Sequence, residues 1–133
     1  MVRPPLRALS DQIYSIARAV VGFLFWQHGA QKLFAMFGQE EAVPLASQMG
    51  LAGIIEFFGG ALIMLGLFTP WAAFVASGEM AFAYFLNHLP DGYSPIENSG
   101  ERAVSYCFVF LYFAARDSGP WSLDRLIWGR RRA

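Results

Sequence analysis

The chain has 133 residues, 56% of them hydrophobic and 17% aromatic, with a formal net charge of zero and only 15% charged residues. Soluble domains carry about a quarter charged residues and nucleic-acid binders cluster positive charge, so this composition excludes a nucleic-acid surface or an acidic general partner. One cysteine, Cys107, allows neither an intrachain disulfide nor a CxxC redox pair, and no linker divides residues 1–133, which read as a single domain.

The opening ten residues carry Arg3, Pro4, Pro5 and Arg7, and no small-residue cleavage site follows a compact apolar run, so no removable signal peptide is expected. The first apolar segment covers about 13–37 and holds Arg18, Gln27, His28 and Lys32. A connection with Glu40, Glu41 and Pro44 leads to a second segment, about 51–68, which holds Glu56. Thr69-Pro70 then stops one helix and starts the next, because proline fits the first helical turn. The second and third segments therefore form a tight antiparallel hairpin, the third running about 71–86 with Glu79 inside it. A stretch rich in Pro, Gly, Asn and Ser precedes the fourth segment, about 103–115, where Asn98 or Ser99 suits a helix cap and Glu101 the first turn. A short helix is expected at about 120–128, with Pro120 in its first turn and Trp121, Leu126 and Trp128 among charges.

Residues 57–68 and 103–115 are apolar on every helical face. A chain this short cannot surround several such helices with protein, so lipid is the expected surrounding. The expected fold is all-α: an integral membrane four-helix bundle with a C-terminal helix lying on the bilayer surface. With an even number of spans, Arg3, Arg7, Arg18, Arg116, Arg125, Arg130, Arg131 and Arg132 fall on the side of both termini, against Lys32 and Arg102 opposite. The positive-inside rule then places both termini in the cytoplasm.

An ionisable residue inside a span costs roughly 2.5–3.5 kcal/mol on insertion scales, so each one needs a partner, water or a function. At 1.5 Å per residue, His28 lies ~22 Å up the first helix and Glu56 ~8 Å below the outer end of the second. Glu79 comes out near the midplane, where a short carboxylate cannot snorkel. The expectation is one polar cavity lined by His28, Lys32, Glu56 and Glu79 in the outer half of the bundle, with His88 and Glu101 at its rim, serving as a ligand or proton pocket. Lys32 is the natural partner of Glu56. Gly59 and Gly60, a turn from Glu56, suit close helix approach. The same groups would equally serve as a salt bridge locking the bundle.

There is no P-loop, no dinucleotide fingerprint, no HExxH and no CxxCH, so neither a metal centre nor an intrinsic redox cofactor is expected, and no residue is singled out as catalytic.

The run Arg18-Ala-Val-Val-Gly-Phe-Leu-Phe-Trp-Gln-His28-Gly-Ala-Gln-Lys32-Leu-Phe34 resembles the first-helix signature of the DoxX family. So do Gly50-Leu-Ala-Gly-Ile-Ile-Glu56-Phe-Phe-Gly-Gly60 with Leu65-Gly-Leu-Phe-Thr-Pro70, Glu97-Asn-Ser-Gly-Glu101, and Trp121-Ser-Leu-Asp124. The resemblance covers roughly 16–126. It implies a small four-span protein of the bacterial cytoplasmic membrane, some relatives being linked to quinone-coupled thiosulfate oxidation and others to complexes that handle thiol or oxidative stress. It also implies that His28, Lys32, Glu56 and Glu101 share a pocket. Two roles are expected. One is a membrane component of a quinone-linked redox system, with quinone as a possible ligand and any electron-carrying cofactor on a partner. The alternative is a non-catalytic accessory or scaffold subunit of a larger membrane complex. Expected partners are the lipid bilayer and either other membrane subunits or further copies of this chain.

Overall fold

The computed structural model describes residues 1–129, and these are all-α, without strands. The basic run Arg130, Arg131 and Arg132 lies outside the described residues. A 3-10 turn (Arg7–Leu9) leads into α1 (Ser10–Phe34). The second long helix comprises α2 (Gln48–Ile54), a π-helical turn (Ile55–Gly59) and α3 (Gly60–Leu65). The third is α4 (Thr69–Ala83), continued by a second π-helical turn (Tyr84–His88) and a 3-10 turn (Leu89–Asp91). The fourth is α5 (Glu101–Ala114), and α6 (Leu123–Trp128) closes the chain.

Local chemistry explains these limits. α1 stops at Phe34, short of 37, because Ala35 and Phe37 adopt positive φ and Gly38 follows in the same region. The chain then folds back, and the Val43 amide donates to the Lys32 carbonyl at 2.8 Å. α2 begins before Leu51 because the Ser47 hydroxyl caps it, accepting from the Gly50 amide. α3 ends on Gly66 at φ 71°, with the Leu67 amide donating to the Leu62 carbonyl (2.9 Å) and the Gly66 amide to the Ile63 carbonyl (3.2 Å). That pair of bonds is a Schellman ending, whose left-handed residue glycine adopts without steric cost. At α5 the cap position is Gly100, without a side-chain bond; Asn98 instead accepts from the Gly100 amide at 2.9 Å.

The four helices run up, down, up and down. Lys32 meets Glu56 at one end of the first pair, while Arg18 meets Ile63 towards the other. Ser77 of α4 donates to the Cys107 carbonyl of α5 at 2.8 Å, and the Tyr14 hydroxyl of α1 donates to the Asp117 carbonyl beyond α5 at 2.9 Å. The end that carries the termini and the Phe68–Pro70 turn is called proximal below, and the end with the 35–47 and 92–100 connections distal.

α1 and the second helix touch backbone to backbone. A Cβ on Gly22 would lie 2.5 Å from the Met64 nitrogen, one on Gly29 2.2 Å from the Phe57 nitrogen, and one on Gly60 2.6 Å from the Trp26 nitrogen. Gly59 does not share this role, since its Cβ would meet nothing within 4 Å. α4 packs on α5 through Ala73, Ala76 and Ser77. Between the two pairs runs an aromatic spine: Tyr14 meets Phe113 edge-on at 5.5 Å, Phe110 meets Phe25 at 4.6 Å, and Tyr106 stacks on Phe110 at 5.5 Å and reaches His28 at 6.3 Å. Phe25 and Phe110 are wholly buried.

Outside this spine the outer faces of the long helices are largely apolar. Phe23, Leu24, Phe58, Leu65, Phe74, Val75, Phe82, Phe108 and Leu111 are all exposed, and they come from every long helix. Among the described residues one helix, Gln48–Leu65, is long and apolar enough by itself to cross a membrane.

Candidate functional site

The distal half of the bundle contains a cavity of about 680 Å³. The first π-helical turn places Glu56 on its inner wall, 2% exposed. Such a turn carries one residue more than an α-turn, so it shifts the phase of the side chains that follow and is frequent at functional sites. The Lys32 ammonium bonds both Glu56 oxygens at 2.7 Å. A charge-assisted pair of this kind compensates two charges that burial would otherwise penalise.

Glu79 comes to the same wall from α4. It lies within range of the charges of Glu56 and Lys32 and within hydrogen-bonding reach of the Glu56 carboxyl when one of the two carries a proton, but no N–H or hydroxyl among the described residues donates to its buried Oε2. One ammonium thus serves two carboxyl groups, and both of its bonds go to Glu56. A buried oxygen without a partner is rare in folded proteins and marks a place for a proton, water or ligand.

His28 of α1 and His88 of the second π-helical turn also line the cavity. His88 is fixed from behind, with Nδ1 3.1 Å from the Asn98 carbonyl, while the Asn98 amide donates to the Tyr84 hydroxyl at 3.2 Å and the Gly92 carbonyl at 2.9 Å. Glu101 does not line the cavity. Its side chain is exposed, and Arg102 occupies the wall instead, with Tyr106 one turn further on. The physical reason is helical phase: α5 buries Phe110 and Phe113, and stepping back by three or four residues reaches Tyr106 and then Arg102 or Ala103, leaving Glu101 about 100° off that face. Arg102 interacts electrostatically with His28, Glu56 and Tyr106. Of the remaining polar groups on α1, Gln31 donates to the Phe37 carbonyl at 3.1 Å and Gln27 does not line the cavity.

The proximal end holds a second polar cluster that the sequence reading missed. Arg18 is 2% exposed. Its Nε donates to the Ile63 carbonyl at 3.0 Å, and its two terminal nitrogens donate to the carbonyls of Ser118 and Trp121. Asp124 accepts from the Ser118 hydroxyl at 2.5 Å and from the Phe68 amide at 3.0 Å, and its own amide donates to the Gly66 carbonyl at 2.9 Å. Residues 117–122 therefore form a strap rather than the start of a helix at 120. Arg18 holds the strap carbonyls, and α6 begins only after Ser122 caps it by accepting from the Arg125 amide. Arg18 inside an apolar run was the available signal, but its acceptors are main-chain carbonyls, which leave no trace in a sequence.

Among the described residues no group of three or more His, Cys, Asp or Glu side chains is arranged to hold a metal ion.

Comparison with known proteins adds the following. The profile of the family described as DoxX matches residues 13–89. An uncharacterized protein of Haemophilus influenzae is 41% identical over 114 residues, which covers 80% of this chain and 84% of that protein. No solved structure gives a significant match.

Proposed function

Since the chain belongs to the DoxX family, whose members are typically membrane-associated, we propose that it is a four-span membrane component of a quinone-linked redox system whose distal cavity binds the quinone headgroup. The unpartnered Glu79 oxygen beside the Lys32–Glu56 pair carries this reading. The cavity volume, about 680 Å³, falls in the usual range for small-molecule sites. Its walls are mainly apolar and its polar groups converge on one region, as a flat ring with two carbonyl groups requires. Lys32, Arg102, His28 and Tyr106 supply donors for those carbonyls, and Glu79 supplies a group that gives or takes a proton. When bound, a quinone contributes acceptance and release of electrons and protons; the electrons come from a cofactor on a partner subunit.

The membrane reading is supported by the large apolar side chains exposed on every long helix, an exterior that suits lipid. The buried proximal cluster and the exposed Trp121, Leu126 and Ile127 suit an inner interface with α6 lying on it. By the basic-residue count, both termini and the Phe68–Pro70 turn are cytoplasmic. Reporter fusions after Phe68 and at the C-terminus are expected to read cytoplasmic, and fusions within 39–48 and 90–98 external. An external C-terminus would invert the scheme.

The functional reading is tested by titrating purified protein with a quinone and by identifying what copurifies from the native membrane. Saturable binding by wild type that Glu79→Gln abolishes, with the fold intact, is the expected result. No quinone binding, together with stoichiometric recovery of a cofactor-bearing subunit, would replace this role with that of an accessory or scaffold subunit.

A further inference from the structure

The cavity is a slot as well as a cup. Its deep wall is buried and includes Phe25, Glu56, Met80 and Ala103. Its margin has two parts. At the distal end it is polar, with Gln48, Asn87, Ser99 and Arg102. From there it descends the side of the bundle between α2 and α4, where Leu51, Val75 and Phe82 line the cavity while being 59%, 52% and 66% exposed.

Two further observations show that this side is open. A Cβ on Gly78, which also lines the cavity, would meet nothing within 4 Å, so no neighbouring helix closes the seam there. The helix from Val75 to Asn87 climbs roughly 18 Å at 1.5 Å per residue, so the opening extends far below the polar margin. α4 packs along α5 and meets the second helix at α3 and the first π-helical turn, while the cavity separates its upper part from α2. Glu79 lines the same cavity as Gly78, so the seam and the Glu79 carboxyl belong to one opening.

A small polar ligand arriving from water would use the polar margin alone, and the apolar slot would serve nothing. We infer that the cavity takes a ligand with a hydrogen-bonding headgroup and a hydrocarbon tail, and that this ligand enters sideways from the bilayer. The headgroup sits at Lys32, Glu56 and Glu79, and the tail lies between α2 and α4 along Leu51, Val75, Gly78 and Phe82. This inference rests on the ligand-binding reading of the cavity given above and narrows its ligand class.

The test uses two quinones with one headgroup: 2,3-dimethoxy-5-methyl-1,4-benzoquinone, which has no tail, and the same ring bearing a ten-carbon chain. Binding of each is measured on the full-length protein in lipid nanodiscs, for wild type, Gly78→Phe and Glu79→Gln, with empty nanodiscs subtracted. Gly78→Phe is expected to weaken the tailed quinone roughly tenfold or more while changing the tailless one less than about twofold, since each buried methylene contributes substantially to affinity. Glu79→Gln is expected to abolish binding of both quinones alike. If Gly78→Phe fails to fold, Val75→Trp places a comparable obstruction lower in the same slot at an exposed position. Equal response of both quinones to the slot variants, or no response, overturns sideways entry while leaving quinone binding in place. Absence of binding by wild type overturns the quinone reading itself, and this inference with it.

Discussion

The two ends of the bundle bury charge in opposite ways. At the proximal end Arg18 meets carbonyl oxygens from α3 and the strap, and Asp124 is occupied by Ser118 and Phe68, so both charges are bonded, although the buried Thr69 hydroxyl has no partner among the described residues and a cleft of about 710 Å³ adjoins Asp124. At the distal end Lys32 and Glu56 satisfy each other, but Glu79 is left short and a cavity stands beside it. A buried charge whose hydrogen bonds the protein itself supplies serves the fold. One left short costs stability, and the deficit is what a ligand can relieve. The comparison thus assigns structure to one end and binding to the other, and it can be broken by substitution.

The largest effect is expected from Arg18→Met. It removes the donor of the strap carbonyls of Ser118 and Trp121, at roughly 1–3 kcal/mol for each buried group left unpaired. Thermal unfolding of detergent-solubilised protein should show a marked loss of stability, and Arg18→Lys should rescue little, because a single ammonium cannot reproduce the fork of bonds. A wild-type melting temperature in Arg18→Met would show that the proximal cluster does not hold the fold.

Next in size is Glu56→Gln, which takes from the Lys32 ammonium the carboxylate it bonds and leaves it only Glu79 as a nearby counter-charge. Breaking one side of a buried pair costs about 3–5 kcal/mol, lowered here because the Lys32 side chain retains 21% exposure. The double variant Lys32→Met with Glu56→Leu should recover most of that stability and still bind no quinone. Recovery of binding in the double variant would detach the ion pair from the site.

Gly29→Ala comes third. Its new methyl would press on the Phe57 backbone, and overpacking of this kind typically costs 1–3 kcal/mol. Gly59→Ala, which meets open space, serves as the matched control in the same unfolding assay. The smallest effect is expected at Glu101, where Glu101→Gln should change stability by no more than about 0.5 kcal/mol and leave quinone titrations unaltered.

Several of these features were legible in the sequence. Apolar runs separated by Gly and Pro give the four helices, and Thr69-Pro70 gives the hairpin. Heights counted along the helices point His28, Lys32, Glu56 and Glu79 to one region. What escaped has physical causes. A π-helical turn has no residue signature, so the local phase of Glu56 could not be read. The choice of Arg102 over Glu101 depends on which face of α5 meets Phe25, a tertiary fact. Gly59 and Gly60 look alike until the partner backbone is in place. The strap needs the carbonyls of Ser118 and Trp121, and every residue type has one.

The glycine contacts have a mechanical consequence. Backbone pressed on backbone at Gly22, Gly29 and Gly60 makes α1 and the second helix a single stiff arm. α4 and α5 form the other arm, and the chain joins the two at the Schellman turn and Phe68, with the strap bridging them at that same end. Both joints lie at one extremity, so the molecule is built like tweezers, and an angular change of about 5° at the joint moves the tips of ~30 Å helices by roughly 2–3 Å. That travel is on the scale of a side-chain diameter. Glu56 and Glu79, each about ten residues or ~15 Å from the joint, would part by about half that travel.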